Sequence, residues 1–235
     1  MGRVRFPLNL SGLNAAGYLF LTGNSSYRWI SVERGSVKVK VKRRVKGEVK
    51  TVLALAGMPG SGKGVFSEAA SSLGVPVYVC GDVVRDEAVK MGLPVNRVSM
   101  RRLMFELRSL EGSAAVVKRL MPKLGGEQSR IMVVEGVRSL SEVEELRKVF
   151  HVLVCAVHAS PDVRFKRLAS RGRADDPRSV EEFKSRDMDE LKLGLGDVIA
   201  LADRVFINEG GLEEFKGEVK RFLEGFQRLG VHGDR

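Results

Sequence analysis

One stretch constrains this chain more than any other: Val52 to Val65, reading VLALAGMPGSGKGV. Five apolar residues, Val52 to Ala56, lead straight into a turn holding Gly57, Gly60, Gly62 and Gly64 around Lys63. An unbroken apolar run of this kind reads as a strand buried on both faces of a parallel sheet. Glycines packed this closely mark a loop where backbone must come near something. From Gly57 to Lys63 the spacing is glycine, four residues, glycine, lysine. Set between a strand and a helix, that spacing makes a phosphate cradle. N–H groups of the loop and the helix start point at the anion, and the lysine supplies a mobile positive charge. A glycine-rich connection with a chance lysine has no reason to show strand, loop and helix in that order.

The whole chain carries a formal charge of +11, which taken alone points to nucleic acid or an anionic membrane. The distribution says otherwise. Residues 1–50 hold 11 Lys and Arg against Glu33 and Glu48, a net +9, and the remaining residues carry only +2. The basicity belongs to an N-terminal extension, 1–47, and not to the body, 48–235. Within it Ser36 to Lys46, SVKVKVKRRVK, alternates valine with lysine. Three readings stay open for this extension: a disordered or start-site artefact, a small β appendage, or a basic arm touching nucleic acid, in that order of preference. A hydrophobic content of 43% supports a real core and excludes global disorder. Cys80 and Cys155 fall at or within apolar runs and read as buried thiols, and His151, His158 and His232 are scattered, so no zinc site is expected. Arg3 and Arg5 precede a segment broken by Asn9, Ser11 and Asn14, a poor leader. No membrane span is expected, and the location expected is cytoplasmic.

From Thr51 onward the pattern is regular. Apolar runs at Val52–Ala56, Val75–Cys80, Ile131–Val134, Val152–Val157 and Val205–Ile207 predict five strands separated by helices, an α/β domain with a parallel sheet. Ser141 and Glu144 read as a capping-box pair, and Ser160-Pro161 as an N-cap with proline at the first helical position. Leu212, Phe215, Val219, Phe222, Leu223 and Phe226 keep helical spacing and predict a closing helix packed on the sheet. Two connections exceed the usual length. Residues 81–130 predict a helical insertion, and the polar segment 171–189 a lid at the carboxyl ends of the strands, where such folds place ligands.

Several motifs now point to one family. The loop Gly57-Met58-Pro59-Gly60-Ser61-Gly62-Lys63-Gly64 resembles the adenylate-kinase variant of the phosphate loop. Gly64 offers no hydroxyl to Mg²⁺, and Val65 stands where adenylate kinases usually carry threonine, so phosphates and waters are expected to hold the metal. Gly81-Asp82-Val83-Val84-Arg85 resembles the Gly-Asp-x-x-Arg of nucleoside monophosphate kinases, whose arginine holds the acceptor phosphate. Glu135-Gly136-Val137-Arg138 is similar to the Asp-Gly-Phe-Pro-Arg of adenylate kinases, with the arginine one residue closer, and implies Glu135 as a holder of the metal's water. Gly172-Arg173-Ala174-Asp175-Asp176 with Arg186 resembles the adenylate-kinase lid, whose arginines close over the phosphoryl group in transit, with Arg167, Arg171 and Arg178 nearby. Ala202 to Glu214 looks like the last strand, loop and helix of dephospho-coenzyme A kinases, which implies Asn208 to Gly210 near the adenine.

Together, Thr51 to about Phe226 resembles a mainly archaeal family of adenylate-kinase-related P-loop proteins, uncharacterised protein family 0200. The resemblance implies a three-layer P-loop NTPase fold of the nucleotide-kinase kind, with an acceptor-binding insertion, an Arg-rich lid, and ATP with Mg²⁺ as ligands. It assigns no acceptor. Three functions follow as expectations. The first is γ-phosphoryl transfer from ATP to a small phosphate-bearing acceptor, with Lys63 on the donor, Arg85 and Arg138 on the acceptor, and Arg173 and Arg186 on the transferring group. The second is transfer to a hydroxyl with Asp82 as base. The third is a slow ATPase or nucleotide-dependent binding module, linked to RNA through the basic arm.

Overall fold

The computed structural model describes 50–173 and 176–227 in full, and the backbone alone at 18–23, 26–33, 36–43 and 228–231. The chain divides into two units, Met1–Glu48 and Val49–Arg235. In the first, strands β1 (Tyr18–Gly23), β2 (Ser26–Glu33) and β3 (Ser36–Arg43) pair antiparallel in the order β1-β2-β3. Arg3, Arg5 and residues 44–47 lie outside the described residues.

The second unit is a five-stranded parallel sheet in the order β5-β6-β4-β7-β8 with helices on its faces. Its strands are β4 (Thr51–Ala56), β5 (Val77–Val79), β6 (Ile131–Glu135), β7 (His151–His158) and β8 (Arg204–Ile207). The expected five strands and the three-layer P-loop architecture are thus present. The central strand β4 shows why its sequence carries no alternation, since Val52 to Ala56 are all fully buried. Leu53, Leu55, Val133, Cys155, Val157 and Phe206 look one way, into helix α1 (Lys63–Ser72) and the closing helix α9 (Leu212–Val231). There Phe66 meets Phe206 edge-on at 5.4 Å, and Phe206 meets Phe222 at 5.1 Å. The expected stripe on α9 is core through Phe215, Val219 and Leu223, whereas Leu212 is exposed. Val52, Ala54, Met132, Val134 and Val154 are buried as well. Helix α5 (Leu140–Arg147) packs on β7, and α8 (Leu195–Ala200) on β4 and β7.

The insertion is helical, as expected: α2 (Cys80–Lys90), α3 (Arg97–Glu111) and α4 (Ala115–Gly126). The second strand is shorter than its apolar run because Cys80 already begins α2. The lid segment is mostly helix. Helix α6 (Pro161–Arg171) enters it and α7 (Val180–Lys192) leaves it, with 172–179 between them. Ala174 and Asp175 lie outside the described residues.

Local signals hold with one correction. Ser160 is the N-cap of α6 with Pro161 behind it, and Ser179 caps α7 by accepting from Glu182 N. On α5 the cap is Ser139, not Ser141: Ser139 Oγ accepts from Glu142 N at 3.2 Å. Both tetrads read Ser-x-x-Glu. Burial selects the first, because Glu142 is fully buried and paired with Arg108 Nη2 at 2.7 Å, while Glu144 faces solvent.

Candidate active site

The phosphate loop is held by close approach on three sides. Gly57, Gly60 and Gly62 have φ of 152°, 82° and 109°. A Cβ at Gly57 would stand 2.5 Å from Val157 O, one at Gly60 2.7 Å from Arg164 O, and one at Gly62 2.1 Å from Asn208 Nδ2. Only glycine satisfies both the left-handed backbone and these distances. Gly64 differs, with no atom within 4 Å of a Cβ there. No side chain caps the start of α1, so its first N–H groups are left to the loop interior.

Two buried polar side chains brace this loop. Asn208 donates from Nδ2 to Ser61 O at 2.8 Å, and Arg167 donates to Asn208 O at 3.0 Å and to its Oδ1 at 3.2 Å. In the stretch Asn208 to Gly210, expected near a base, the Asn208 side chain and carbonyl thus brace the loop. Glu209 likewise binds Ser160 N and accepts from Ser160 Oγ at 3.0 Å. Arg164, 4% exposed, donates to Pro59 O at 3.2 Å and forks onto Asp187 of α7 at 2.8 and 2.6 Å. Its guanidinium lies 4.8 Å from the Phe183 ring centroid. The inward face of α6 therefore includes a buried arginine beside Leu168, while Ala169 is exposed.

Lys63 donates to Gly57 O at 2.6 Å and Met58 O at 3.2 Å, folded back over the loop. Burial pulls its pKa down to about 8, against the raising influence of Glu135 and Glu190 and with help from Arg138 and Arg186. Glu135 ends β6, next to β4, and accepts from Ser67 Oγ at 2.5 Å. Ser67 was not singled out from the sequence. It lies four residues after Lys63, which is one helical turn on the same face, and that spacing was the available signal.

The cleft above the loop has a volume of about 760 Å³. Asp82, Arg85, Arg138, Arg173 and Arg186 all line it, together with Lys63 and Glu135. The sequence-expected residues therefore converge on one site. Their partners were not foreseen. Arg85 is ion-paired with Asp82 one helical turn away on α2. Arg138 donates from Nε to Glu190 Oε2 at 2.7 Å. Asp176, 6% exposed, accepts from Arg171 Nε at 2.9 Å and Arg186 Nη1 at 3.4 Å, and from Arg173 N at 3.0 Å. Burial pushes the Asp176 carboxyl up, but Arg171 and the Arg173 backbone outweigh it and hold it below the usual range. From the insertion, Arg97 Nη1 meets Glu182 of α7 at 3.0 Å and Arg101 Nη2 meets Asp189 at 2.7 Å. Arg178 is exposed.

Among the described residues no group of three or more His, Cys, Asp or Glu is placed to hold a metal, and no helix is long and apolar enough to cross a membrane. Cys80 and Cys155 are buried free thiols, and burial raises both, Cys155 to about 12.

A glycine cradle, a lysine folded over it, and an acid ending the adjacent strand define a P-loop nucleotide-binding domain of the kinase-like kind. Comparisons with known proteins agree. A family model described as an AAA domain matches residues 56–184. A UPF0200 protein of Hyperthermus butylicus is 47% identical over 179 residues, 76% of this chain and 96% of the relative. One of Pyrococcus abyssi is 42% identical over 174 residues, 72% of this chain and 93% of the relative. The chain belongs to the UPF0200 family. In fold it is similar to TT1252 from Thermus thermophilus, with a TM-score of 0.55 at 22% identity over 76% of this chain and 98% of that one.

Proposed function

We propose that this protein is a phosphotransferase that moves the γ-phosphoryl group of ATP to a small phosphate-bearing acceptor, such as a nucleoside monophosphate. One observation carries the reading: a lysine-bearing phosphate loop faces arginines from separate elements across a single cleft. In this reading 48–235 is the catalytic domain, 81–130 binds the acceptor and 171–189 is the lid. The cytoplasm is its place of action.

The residues fit a triphosphate donor. Gly57, Gly60 and Gly62 let the loop turn tightly against Val157 O, Arg164 O and Asn208 Nδ2, so its backbone can wrap the phosphates while Lys63 swings from its carbonyls onto them. Mg²⁺, if bound, would supply positive charge that neutralises the donor's phosphates. Glu135, fixed by Ser67, would hold one of its waters. Arg85 and Arg138 grip the acceptor phosphate, and Arg173 and Arg186 stabilise charge spreading over the group in transit. A phosphate oxygen is anionic near neutral pH and needs no base, so positioning and electrostatics suffice. Asp82 would act as a base only for an alcohol acceptor, and only after leaving Arg85.

The test is a panel of AMP, CMP, UMP, GMP and dephospho-coenzyme A with ATP labelled at the γ position. Labelled acceptor formed by wild type and lost in Lys63→Ala is expected, with Asp82→Asn close to wild type. Equal product from Lys63→Ala would refute the assignment. Loss of turnover in Asp82→Asn with binding retained would move it to an alcohol acceptor.

A further inference from the structure

We infer that Glu190 is the positioning residue that presents Arg138 to the acceptor's phosphate, an inference that rests on the phosphotransferase reading above. Glu190 lies near the end of α7 and is only 6% exposed. Its two oxygens take Arg138 Nε at 2.7 Å and Nη2 at 3.4 Å, while Arg138 Nη1 donates to Gly136 O at 3.0 Å. A guanidinium has five N–H bonds. Three are used here, which leaves one on each terminal nitrogen, the pair that forks onto a phosphate. The backbone is pinned too. Arg138 N donates to Glu142 Oε2 at 2.6 Å, and Glu142 is itself held by buried Arg108.

A carboxylate is an expensive choice at this spot. Desolvating it is unfavourable, and its charge opposes any anion drawn to Lys63. A neutral side chain would avoid both penalties but could not fix the guanidinium plane through two charge-assisted bonds. Burial alone would push the Glu190 carboxyl up. Arg138 outweighs this, with Lys63 and Arg186 adding to it, and the carboxyl stays below its usual range. The pair is therefore ionised at working pH. Because Glu190 and Arg186 share α7, movement of that helix carries the aim of Arg138 with it.

The experiment is isothermal titration calorimetry with AMP, CMP, UMP and GMP as probes, on protein saturated with a non-hydrolysable ATP analogue and Mg²⁺. Affinity for that analogue is measured separately without monophosphate. Glu190→Ala and Arg138→Ala are each expected to weaken the best-binding monophosphate about tenfold or more, leaving the analogue within about threefold. Glu190→Asp should recover part of the loss. The double variant should be no weaker than Arg138→Ala alone, since Glu190 acts through that arginine. Multiplying losses in the double variant, or equal loss of donor and acceptor, would make Glu190 a fold contact and overturn the inference. Normal monophosphate binding by Glu190→Ala would overturn it while the phosphotransferase reading stands. If wild type binds the analogue but no monophosphate, the nucleotide-acceptor reading fails and the inference with it. Thermal unfolding monitors folding, and Glu190→Gln replaces Glu190→Ala if the latter does not fold.

Discussion

The two walls of the cleft are built on different physics. The donor wall is fixed by shape. Glycines of the phosphate loop lie against Val157 O, Arg164 and Asn208, and the braces end on neutral carbonyls of Pro59 and Ser61. The opposite wall is fixed by charge. Arg85, Arg97, Arg101, Arg138 and Arg186 are each paired with a carboxylate, and four of those carboxylates come from α7 or the loop before it. A wall held by close packing has one arrangement. A wall held by ion pairs can adjust at little cost: an exposed pair such as Arg85 and Asp82 can exchange its carboxylate for phosphate oxygens, one charge-assisted bond replacing another, while Arg138 keeps Glu190. Under the proposed function, the difference suits a donor loop that stays put and an acceptor side that rearranges around its ligand.

The contrast can be broken or sharpened by substitution. The largest effect belongs to Lys63→Ala, expected to lower turnover about 10³-fold with the fold intact, read from initial rates and thermal unfolding. Next comes Gly62→Ala, which adds a Cβ 2.1 Å from Asn208 Nδ2 at a φ of 109°. It should destabilise by about 2–4 kcal/mol. Gly64→Ala, with open space around its Cβ, should stay within about 0.5 kcal/mol. Equal penalties at the two glycines would show that shape does not fix the donor wall. Arg173→Ala, on the charged wall, should lower kcat about 10²-fold and leave the melting temperature unchanged.

A smaller effect is pH-dependent. Anion binding needs the Lys63 ammonium, whose pKa is about 8, so nucleotide affinity is full below pH 8 and falls as pH rises through it, by up to about tenfold per unit. Stability without nucleotide runs the other way. The lowered pKa means the unfolded chain binds more protons between about 8 and 10.5, so stability rises with pH in that window. Lys63→Arg should flatten both profiles. The smallest effect belongs to Asp189→Asn. Its exposed partner Arg101 makes the pair salt-sensitive, so acceptor binding should change at low ionic strength and converge with wild type in high salt.

How much of this was legible in the sequence follows from distance along the chain. The phosphate loop, the five strands, the helical insertion and the stripe on α9 rest on residues close in sequence, and local periodicity reveals them. The partners that shape the site do not. Glu190 meets Arg138 across 52 residues, Arg164 meets Pro59 across 105, and Asn208 meets Ser61 across 147. Such pairs exist only once the sheet has brought strand ends together. Ser67 lies within helical spacing of Lys63 but beyond the two positions after the lysine where the phosphate-loop motif points to a hydroxyl. At the cap of α5 two Ser-x-x-Glu tetrads overlap, and only the buried Arg108–Glu142 pair separates them.

The most direct test asks whether both walls bind phosphate-bearing ligands at once. Calorimetry of a bisubstrate anion, two adenosines joined through five phosphates, against ATP alone gives the answer. One-to-one binding about 100-fold tighter than ATP is expected, with most of the gain lost in Arg85→Ala and none of the ATP affinity. Binding no tighter than ATP would mean that the charged wall holds no second nucleotide, and would leave a nucleotide-binding domain without a nucleotide acceptor.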